Sequence, residues 1–155
     1  MTRFRVRRAT MKDIGTLTEQ RHKMFADIGE RPRRELAVHD RAFKAWAAKE
    51  MRAKRLVCFL VENGLGKIVG GGSVWLRQVQ PYPGYPGGKM PYLMSMYTEP
   101  ACRGRGVGRL VARHAIEWCK AQGFPSMTLH ASEIGRPLYE KLGWKQSNEM
   151  KLQVR

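Results

Sequence analysis

The sequence predicts a mixed α/β fold in which one sheet carries helices on both of its faces. Extended apolar runs and amphipathic runs follow one another in the order β, α, α, β, β, β, α, β, α, β, β, with about seven strands. Helices placed between strands in this way require packing layers on both faces of the sheet. A glycine-rich turn at residues 103–109 also separates an extended run from a helix, which is typical of α/β folds that bind phosphate groups.

The first elements are a short strand and two helices. Residues 4–8 alternate as a strand. Thr10 and Asp13 have the spacing of a capping box, in which a hydroxyl and an acidic residue satisfy free N–H groups at a helix start. Apolar residues at helical spacing then predict one helix that ends near Gly29 and a second that Pro32 opens.

A hairpin and an irregular loop come next. Residues 55–62 and 67–76 predict two strands joined by the turn residues at 63–66. The glycines at 70–72 are costly inside a strand, and they indicate a bulge or the close approach of another chain or a ligand, with a simple kink in the strand as the favoured interpretation. Residues 81–88 are rich in proline and glycine, so this loop is neither a helix nor a central strand, and it lies where a substrate rim would be useful.

The second half of the chain predicts a strand, a turn, a helix and a closing segment. Residues 92–98 are rich in aromatic and β-favouring residues, and apolar residues recur at helical spacing after the turn. Residues 127–130 predict the next strand. A short helix containing Tyr139 and a final hairpin complete the predicted order.

The glycine-rich turn has the features of an anion site. The first N–H groups of a helix lack internal partners, and the helix dipole makes that end electropositive. Glycines allow an oxygen-rich ligand to approach the backbone, and flanking arginines add charge-assisted hydrogen bonds. A Walker A loop is excluded because no Lys-Ser/Thr pair follows, and a dinucleotide fingerprint is excluded because Arg109 or Val111 stands where its third glycine belongs. A plain turn bracketed by solvated arginines remains the alternative for this motif alone.

The pattern Arg103-x-x-Gly106-x-Gly108 resembles the acetyl-coenzyme A signature of the GCN5-related N-acetyltransferases. The run from Leu138 to Trp144 resembles the closing segment of the same family, and the resemblance covers essentially the whole chain. It implies a mostly antiparallel central sheet of about seven strands, with a splayed parallel pair that holds the cofactor. It also implies an acetyl-coenzyme A-dependent N-acetyltransferase that acts on a primary amine of a small molecule or peptide.

The resemblance also implies roles for individual residues. Tyr139 falls where the family carries a tyrosine near the coenzyme sulfur, as a general acid or hydrogen-bond donor, and a phenol with an ordinary pKa of ~10 suits either role. Main-chain groups of the central strand hold the pantetheine arm and polarise the acetyl carbonyl. Ser132 stands where many members have asparagine. The cofactor-binding residues expected in this way are Met96, Tyr97, Thr98, Arg103, Gly104, Arg105, Gly106, Val107, Gly108, Arg109, Ser132 and Tyr139.

The general base stays unassigned at this stage. Glu62, Glu99 and His130 are candidates, and none is favoured over the others. Cys102 precedes the turn on the wrong side for acyl chemistry, so direct transfer in a ternary complex is expected rather than an acetyl-cysteine intermediate.

Composition limits the remaining classes. A chain of 155 residues predicts one domain, residues 1–155. The 29 Lys and Arg residues against 13 acidic ones give a net charge of +16, which makes a nucleic-acid-binding or regulatory module the main rival. No compact nucleic-acid motif is visible, however, and a catalytically silent sensor of acyl-coenzyme A is the third hypothesis.

Cysteine content and hydropathy bear on the compartment. The three cysteines form no Cys-x-x-Cys pair, so neither a disulfide framework nor a metal site is predicted, and a reducing cytoplasm is expected. No leader and no bilayer-spanning stretch is recognisable, so no membrane association is expected. The resemblance leaves a homodimer open.

Overall fold

A five-stranded sheet organises the chain in this computed structural model, which describes residues 3–29 and 31–155. The strands lie side by side in chain order. The first three pairs of neighbours are antiparallel, and the last strand is parallel to its neighbour. The sheet is therefore mixed and mostly antiparallel, as predicted. The strands are β1 (Arg5–Arg8), β2 (Leu56–Glu62), β3 (Ile68–Gln78), β4 (Lys89–Thr98) and β5 (Thr128–Leu129).

Four α-helices accompany the sheet within the described residues. They are α1 (Ile14–Ile28), α2 (Arg33–Arg52), α3 (Val107–Ala121) and α4 (Arg136–Lys141), with short 3₁₀ turns at Met11–Asp13 and Pro100–Cys102. The predicted capping box precedes α1: the Thr10 N–H donates to Asp13 Oδ2 at 2.7 Å, and Thr10 Oγ1 accepts from the Lys12 N–H at 3.3 Å.

The helices bury both faces of the sheet, as the order of elements predicted. The strand β2 is apolar from Leu56 to Val61 because these side chains alternate between the two cores. Leu56, Cys58 and Leu60 pack with α1 and α2 on one side, called here the α1/α2 face. Val57, Phe59 and Val61 pack with α3 on the other side, called the α3 face.

The glycines of β3 allow neighbouring groups to approach the sheet closely. A β carbon on Gly70 would lie 2.7 Å from Val107 Cγ1 of α3, and one on Gly71 would lie 2.8 Å from Gln20 Oε1 of α1. Real side chains do not tolerate such distances, so larger residues would push both helices away from the sheet. The register of β3 with β4 shifts between Gly71 and Ser73, which confirms the expected bulge, whereas the groups that approach these glycines belong to helices and strands of the same chain rather than to another chain or a ligand.

The predicted strand count was too high. About seven strands were expected, whereas the described residues form five, and no hairpin follows Trp144. The strand β5 has only two residues, so it offers a short edge for further pairing. Residues 145–155 are exposed throughout and cover no core, and a strand that buries neither face gains little from packing.

Within the part of the chain that the structure describes, no helix is both long enough and apolar enough to cross a bilayer.

Candidate active site

The parallel strands β4 and β5 part after a short stretch of pairing. Tyr92 is opposite Thr128 and Leu93 is opposite Leu129, and the register ends there, while β4 continues to Thr98. From Met94 onward this edge of β4 has no strand partner among the described residues. Parallel strands that separate in this way open a crevice at their carboxyl ends, where ligands of α/β proteins commonly bind. The expected splayed pair is therefore present.

A β-bulge lies on β4 at the point where the strands part. Between the pairs Ser73 with Met94 and Gly71 with Tyr97, β4 has two residues and β3 has one. One of the two, Ser95, has a φ of 56°, a left-handed conformation that costs free energy in a residue other than glycine. A bulge leaves the extra residue outside the regular hydrogen-bond ladder. The bulge thus provides main-chain polar groups beside the crevice.

The glycine-rich turn joins the end of β4 to the first turn of α3. Gly104 and Gly106 have left-handed φ values of 71° and 86°, which glycine adopts without strain. Gly106 is the N-cap of α3, and no side chain among residues 3–29 and 31–155 caps this helix. A β carbon at either glycine would meet no atom within 4 Å, so the space beside the turn is open. Free helix N–H groups, a backbone without side chains and open space together fit a diphosphate.

The three arginines of the turn have different surroundings. Arg103 Nε donates to the Thr98 carbonyl oxygen at 2.9 Å, and its Nη2 forms an ion pair with Asp27 of α1. Arg103 therefore fastens the turn to β4 and to α1. The guanidinium of Arg105 lies 5.5 Å from the centroid of the Phe4 ring. Arg109 is exposed in the first turn of α3.

Tyr139 lies on α4 with its ring in the core of the α3 face. The residue is 8% exposed, and its ring meets Trp144 edge-on, with 5.6 Å between centroids. Burial raises the pKa of Tyr139 to about 12, so the hydroxyl stays protonated at neutral pH. Neither this hydroxyl nor the buried Nε1 of Trp144 has a hydrogen-bond partner among the described residues. The Tyr139 hydroxyl therefore remains able to donate a hydrogen bond, whereas Trp144 Nε1 is buried away from the surface.

Ser132 shapes the approach to α4. Its Oγ accepts a hydrogen bond from the Gly135 N–H at 3.1 Å, and its carbonyl oxygen accepts one from the Arg136 N–H at 2.9 Å. A β carbon on Gly135 would lie 3.3 Å from Tyr139 Cε2, so the glycine leaves room for that ring. Ser132 thus holds the turn before α4, and its hydroxyl hydrogen remains able to donate to a ligand.

Three residues of β4 were expected to bind the cofactor through their main chain, and their side chains make other contacts. Met96 packs in the core of the α3 face, next to Gly72. The Tyr97 hydroxyl donates to Glu99 Oε2 at 3.2 Å. Thr98 lies opposite Gly70 at the end of the strand. The bulge adjoins all three, which is consistent with a main-chain role.

The candidates for the general base lie in different environments. Glu62 accepts from Arg7 Nε at 2.6 Å on β2, two strands away from the crevice. Glu99 accepts from Lys23 Nζ at 2.8 Å as well as from Tyr97. His130 Nδ1 lies 2.7 Å from the Tyr92 hydroxyl, directly after β5. Glu99 and His130 each directly follow one of the two strands that part, whereas Glu62 lies away from the crevice. The described residues contain no group of three or more His, Cys, Asp or Glu side chains that could hold a metal ion.

The sequence interpretation missed a polar cluster on the α1/α2 face near the bulge. Arg21 of α1 donates from Nη1 to Ser95 Oγ at 2.6 Å and from Nε to His39 Nε2 at 3.2 Å. Arg77 of β3 donates from Nη2 to Thr128 Oγ1 at 2.9 Å. The sequence contains one indication of this cluster. Arg21 lies four residues after Leu17 and four before Phe25, so it is a cation on the apolar face of a helix.

Comparisons with known proteins agree with this architecture. The model of the acetyltransferase (GNAT) family matches residues 18–144. A crystal structure of a GCN5-related N-acetyltransferase from Ralstonia eutropha JMP134 is 26% identical, with a TM-score of 0.87 over 98% of this chain and 99% of that one. A predicted acetyltransferase from Clostridium acetobutylicum, crystallised with acetyl-CoA, is 25% identical, with a TM-score of 0.87 over 98% of this chain and 97% of that one.

A more distant relative has a named acceptor. Glucosamine 6-phosphate N-acetyltransferase of Trypanosoma brucei brucei is 30% identical over 80 residues, which is 52% of this chain and 52% of that protein. The match therefore spans about half of the relative's length. The family match covers most of the chain, and the sheet, bulge and turn agree with it: this protein belongs to the acetyltransferase (GNAT) family.

Proposed function

We propose that this acyltransferase moves the acetyl group of acetyl-coenzyme A directly to a primary amine of a small molecule or peptide. Both substrates are bound at once in a ternary complex. The observation that carries the proposal is the glycine-rich turn with left-handed Gly104 and Gly106, set at the end of a strand that has left its neighbour. The relative from Clostridium acetobutylicum binds acetyl-CoA in its crystal, which supports this choice of donor.

The diphosphate is bound at the start of α3. The N–H groups of Val107, Gly108 and Arg109 lack partners inside the helix and donate hydrogen bonds to the phosphate oxygens. The side chains of Arg105 and Arg109 add positive charge nearby. Arg103 contributes by fixing the shape of the turn through Thr98.

The protein can assist the acyl transfer at the amine, at the carbonyl oxygen and at the sulfur. A carbon–nitrogen bond forms while the carbon–sulfur bond breaks, the amine loses a proton, and sulfur leaves as a thiolate. Main-chain N–H groups near Met96, Tyr97 and Thr98 stabilise the negative charge that develops on the carbonyl oxygen. Tyr139 donates a hydrogen bond to the sulfur.

The raised pKa of Tyr139 defines how it helps. An ordinary thiol has a pKa of ~8.5, well below the value of about 12 for this phenol. Full proton transfer from Tyr139 to the thiolate is therefore uphill. The hydroxyl stabilises the leaving sulfur as a hydrogen-bond donor, and the final proton comes from solvent or from the acceptor's ammonium group.

Direct transfer also agrees with the state of the buried cysteines. Burial raises the pKa of Cys58 and of Cys119 to about 11, so neither supplies a thiolate to take the acetyl group. All three cysteines are free, which favours a reducing compartment such as the cytoplasm.

Thiol release from acetyl-coenzyme A, measured over a library of small and peptide amines, tests the proposal. We expect turnover with some acceptors and a reduced turnover number in Tyr139→Phe. Binding of acetyl-coenzyme A without turnover on any amine would indicate a sensor. Tight binding of duplex DNA that weakens steeply with salt, without binding of acetyl-coenzyme A, would indicate a nucleic-acid-binding module.

A further inference from the structure

Two arginines on the α1/α2 face have no carboxylate partner in the described part of the chain: Arg21 bonds to Ser95 of the bulge, and Arg77 packs over Tyr92. The Cζ of Arg77 is 4.4 Å from the centroid of the Tyr92 ring. Burial raises the pKa of Tyr92, and the charges of Arg77 and Arg21 oppose this effect, so both cations act on the same phenol. No acidic side chain among the described residues forms an ion pair with either arginine.

The surroundings of Arg21 are energetically unfavourable for a charged side chain. Its guanidinium is half-buried between aromatic rings, 5.0 Å from the centroid of Phe25 and 4.9 Å from that of Phe43. Loss of solvent lowers its pKa, which means that the protein environment disfavours the charge. A buried cation is normally offset by a carboxylate, and here its two partners are the neutral groups of His39 and Ser95.

Two acids of this region, Asp40 and Glu149, contact histidines rather than the arginines. His39 accepts from Arg21 at Nε2, so its hydrogen is on Nδ1, which faces Asp40 Oδ1 at 3.2 Å. The other oxygen of Asp40 lies 2.7 Å from His22 Nδ1. Glu149 lies 3.5 Å from His130 Nε2, and its side chain is 68% exposed. Neither acid reaches the arginines.

Arg77 has spare donors as well. Its Nη2 bonds to Thr128, while its buried Nε has no partner among the described residues. A buried donor without a partner costs free energy. The pair thus offers guanidinium N–H groups and two charges on the face of the sheet where the strands part.

We propose that the acceptor amine carries a phosphate or carboxylate group, which Arg21 and Arg77 bind near Tyr92. This inference rests on the proposed function, because it assigns the acceptor of the same site. Ser95 connects the two ends of the acceptor, since its hydroxyl bonds to Arg21 and its backbone forms the bulge beside the acetyl group. An amine at the bulge and an anion at the arginines belong on one small molecule.

The recognition follows from guanidinium chemistry. An oxyanion accepts charge-assisted hydrogen bonds from the planar fork of an arginine, whereas a neutral group gains much less. The two arginine charges lack a carboxylate partner from the described residues in the empty site, which costs free energy. Only a bound anion offsets this cost. A neutral analogue of the acceptor therefore leaves the two charges uncompensated and reacts poorly.

The binding test uses inorganic phosphate, titrated at constant ionic strength into the protein saturated with coenzyme A. Arg21→Gln and Arg77→Gln should each weaken phosphate binding at least about tenfold. The control Arg113→Gln removes one charge from an exposed position on α3, on the other face of the sheet, and should bind phosphate as the wild type does. Equal weakening in all three variants, or no binding by the wild type, overturns the inference.

Matched acceptors distinguish phosphate from carboxylate. The kcat/KM ratios are measured for glucosamine 6-phosphate against glucosamine and for glycine against glycinamide. At least one anionic member should exceed its neutral partner about tenfold or more, and Arg21→Gln and Arg77→Gln should remove that preference. Equal rates within both pairs overturn the inference.

Two further results distinguish anion binding by Arg21 from a packing role and from failure of the proposed function. Arg21→Lys retains the charge but not the fork, so it should retain more phosphate affinity than Arg21→Gln, and an equal loss would assign Arg21 a packing role and overturn the inference. If no acyl-coenzyme A binds or no amine turns over, the proposed function fails, yet the phosphate titration without coenzyme still decides whether the arginines form an anion site.

Discussion

Arg103 Nε donates to the Thr98 carbonyl oxygen at 2.9 Å, and the same guanidinium pairs with Asp27 on α1. One side chain therefore connects the end of β4, the glycine-rich turn and the first helix. The arginine that the family signature begins with shapes the turn, while the backbone of the following residues faces the open space.

Replacing Arg103 should loosen the turn. For Arg103→Ala we expect the free energy of unfolding to fall by about 1–2 kcal/mol, because a charge-assisted bond to the backbone is lost. Acetyl-coenzyme A affinity should fall about threefold to tenfold, since the turn is less well fixed. Urea unfolding and calorimetric titration measure the two effects.

Asp27→Asn provides the matched control, because it removes only the ion pair. Both partners are about half exposed, so we expect less than about 1 kcal/mol of destabilisation and cofactor affinity within about twofold of the wild type. If this substitution weakens the cofactor as much as Arg103→Ala does, the bond to Thr98 is not what fixes the turn.

Tyr139→Phe should reduce kcat about tenfold to a hundredfold with little change in the KM for the acceptor. The hydroxyl bonds to no described residue, so its removal should change the free energy of unfolding by less than about 0.5 kcal/mol. A variant with unchanged kcat would exclude the hydroxyl from the reaction.

The raised pKa of Tyr139 also predicts a pH dependence. Its folded value of about 12 exceeds the ordinary value of 10.0, so the folded protein holds this proton more tightly than the unfolded chain. The resulting contribution to stability is complete below pH 10 and is lost as pH rises towards 12. Because the hydroxyl also stays protonated between pH 7 and pH 10, the catalytic rate should show no alkaline limb from this group in that range. A pH–kcat profile of wild type and Tyr139→Phe checks this.

Gly72 is needed because Met96 and Val111 occupy the space of its absent side chain. A β carbon there would overlap Met96 Sδ and lie 2.9 Å from Val111 Cγ1. For Gly72→Ala we expect about 1–3 kcal/mol of destabilisation and a displaced bulge. Because Met96 is flexible, Gly72→Ala combined with Met96→Ala should recover part of that loss in a double-mutant cycle.

Gly15→Ala is the control for this substitution. Gly15 lies in α1, and a β carbon there would meet nothing within 4 Å, so alanine should leave stability unchanged or raise it by up to about 1 kcal/mol. A loss of stability at Gly15 equal to that at Gly72 would mean that the overlap with Met96 is not the cause.

Much of this fold could be predicted because local patterns determine it. The alternation of strands and helices indicated that both faces of the sheet are packed, and the side chains of β2 alternate between two cores. The glycines of the turn indicated a backbone that a ligand can approach, and a β carbon on Gly104 or Gly106 would meet no atom within 4 Å. The prediction of a hairpin after Trp144 was wrong because a strand needs a partner edge for pairing, and β5 offers an edge of only two residues.

The polar cluster could not be predicted because its members are distant in sequence. Arg21 and Ser95 are 74 positions apart, and only the packing of α1 on β4 brings them together. The left-handed φ of Ser95 has no signal in the residue type. Motifs located the coenzyme end of the site, whereas the acceptor end required the three-dimensional structure.

Asp13 should make stability depend on acidic pH. Hydrogen bonds from Arg7, 2.9 Å from each carboxylate oxygen, lower its pKa to about 2 from an ordinary 3.8. Because the folded pKa is depressed, this contribution to stability is present above pH 4 and is lost as pH falls towards 2. Asp13→Asn should cost about 2 kcal/mol at pH 7, and the difference from wild type should narrow by about 1 kcal/mol at pH 3.

Urea unfolding at both pH values measures this difference. Glu117→Gln, on the exposed surface of α3, serves as the control and should change stability by less than about 0.5 kcal/mol at either pH. A difference between Asp13→Asn and wild type that does not vary with pH would contradict the role of the ion pair with Arg7.

The most direct test of the account is calorimetric titration of acetyl-coenzyme A into wild type, Gly106→Val and Gly123→Val. Both glycines have left-handed φ values, 86° and 80°, and open space at the β carbon, so the backbone strain is matched, but only Gly106 lies in the turn. If the turn binds the diphosphate, Gly106→Val weakens binding at least about tenfold and Gly123→Val stays within about twofold of the wild type. Equal affinities in the two folded variants would contradict the account.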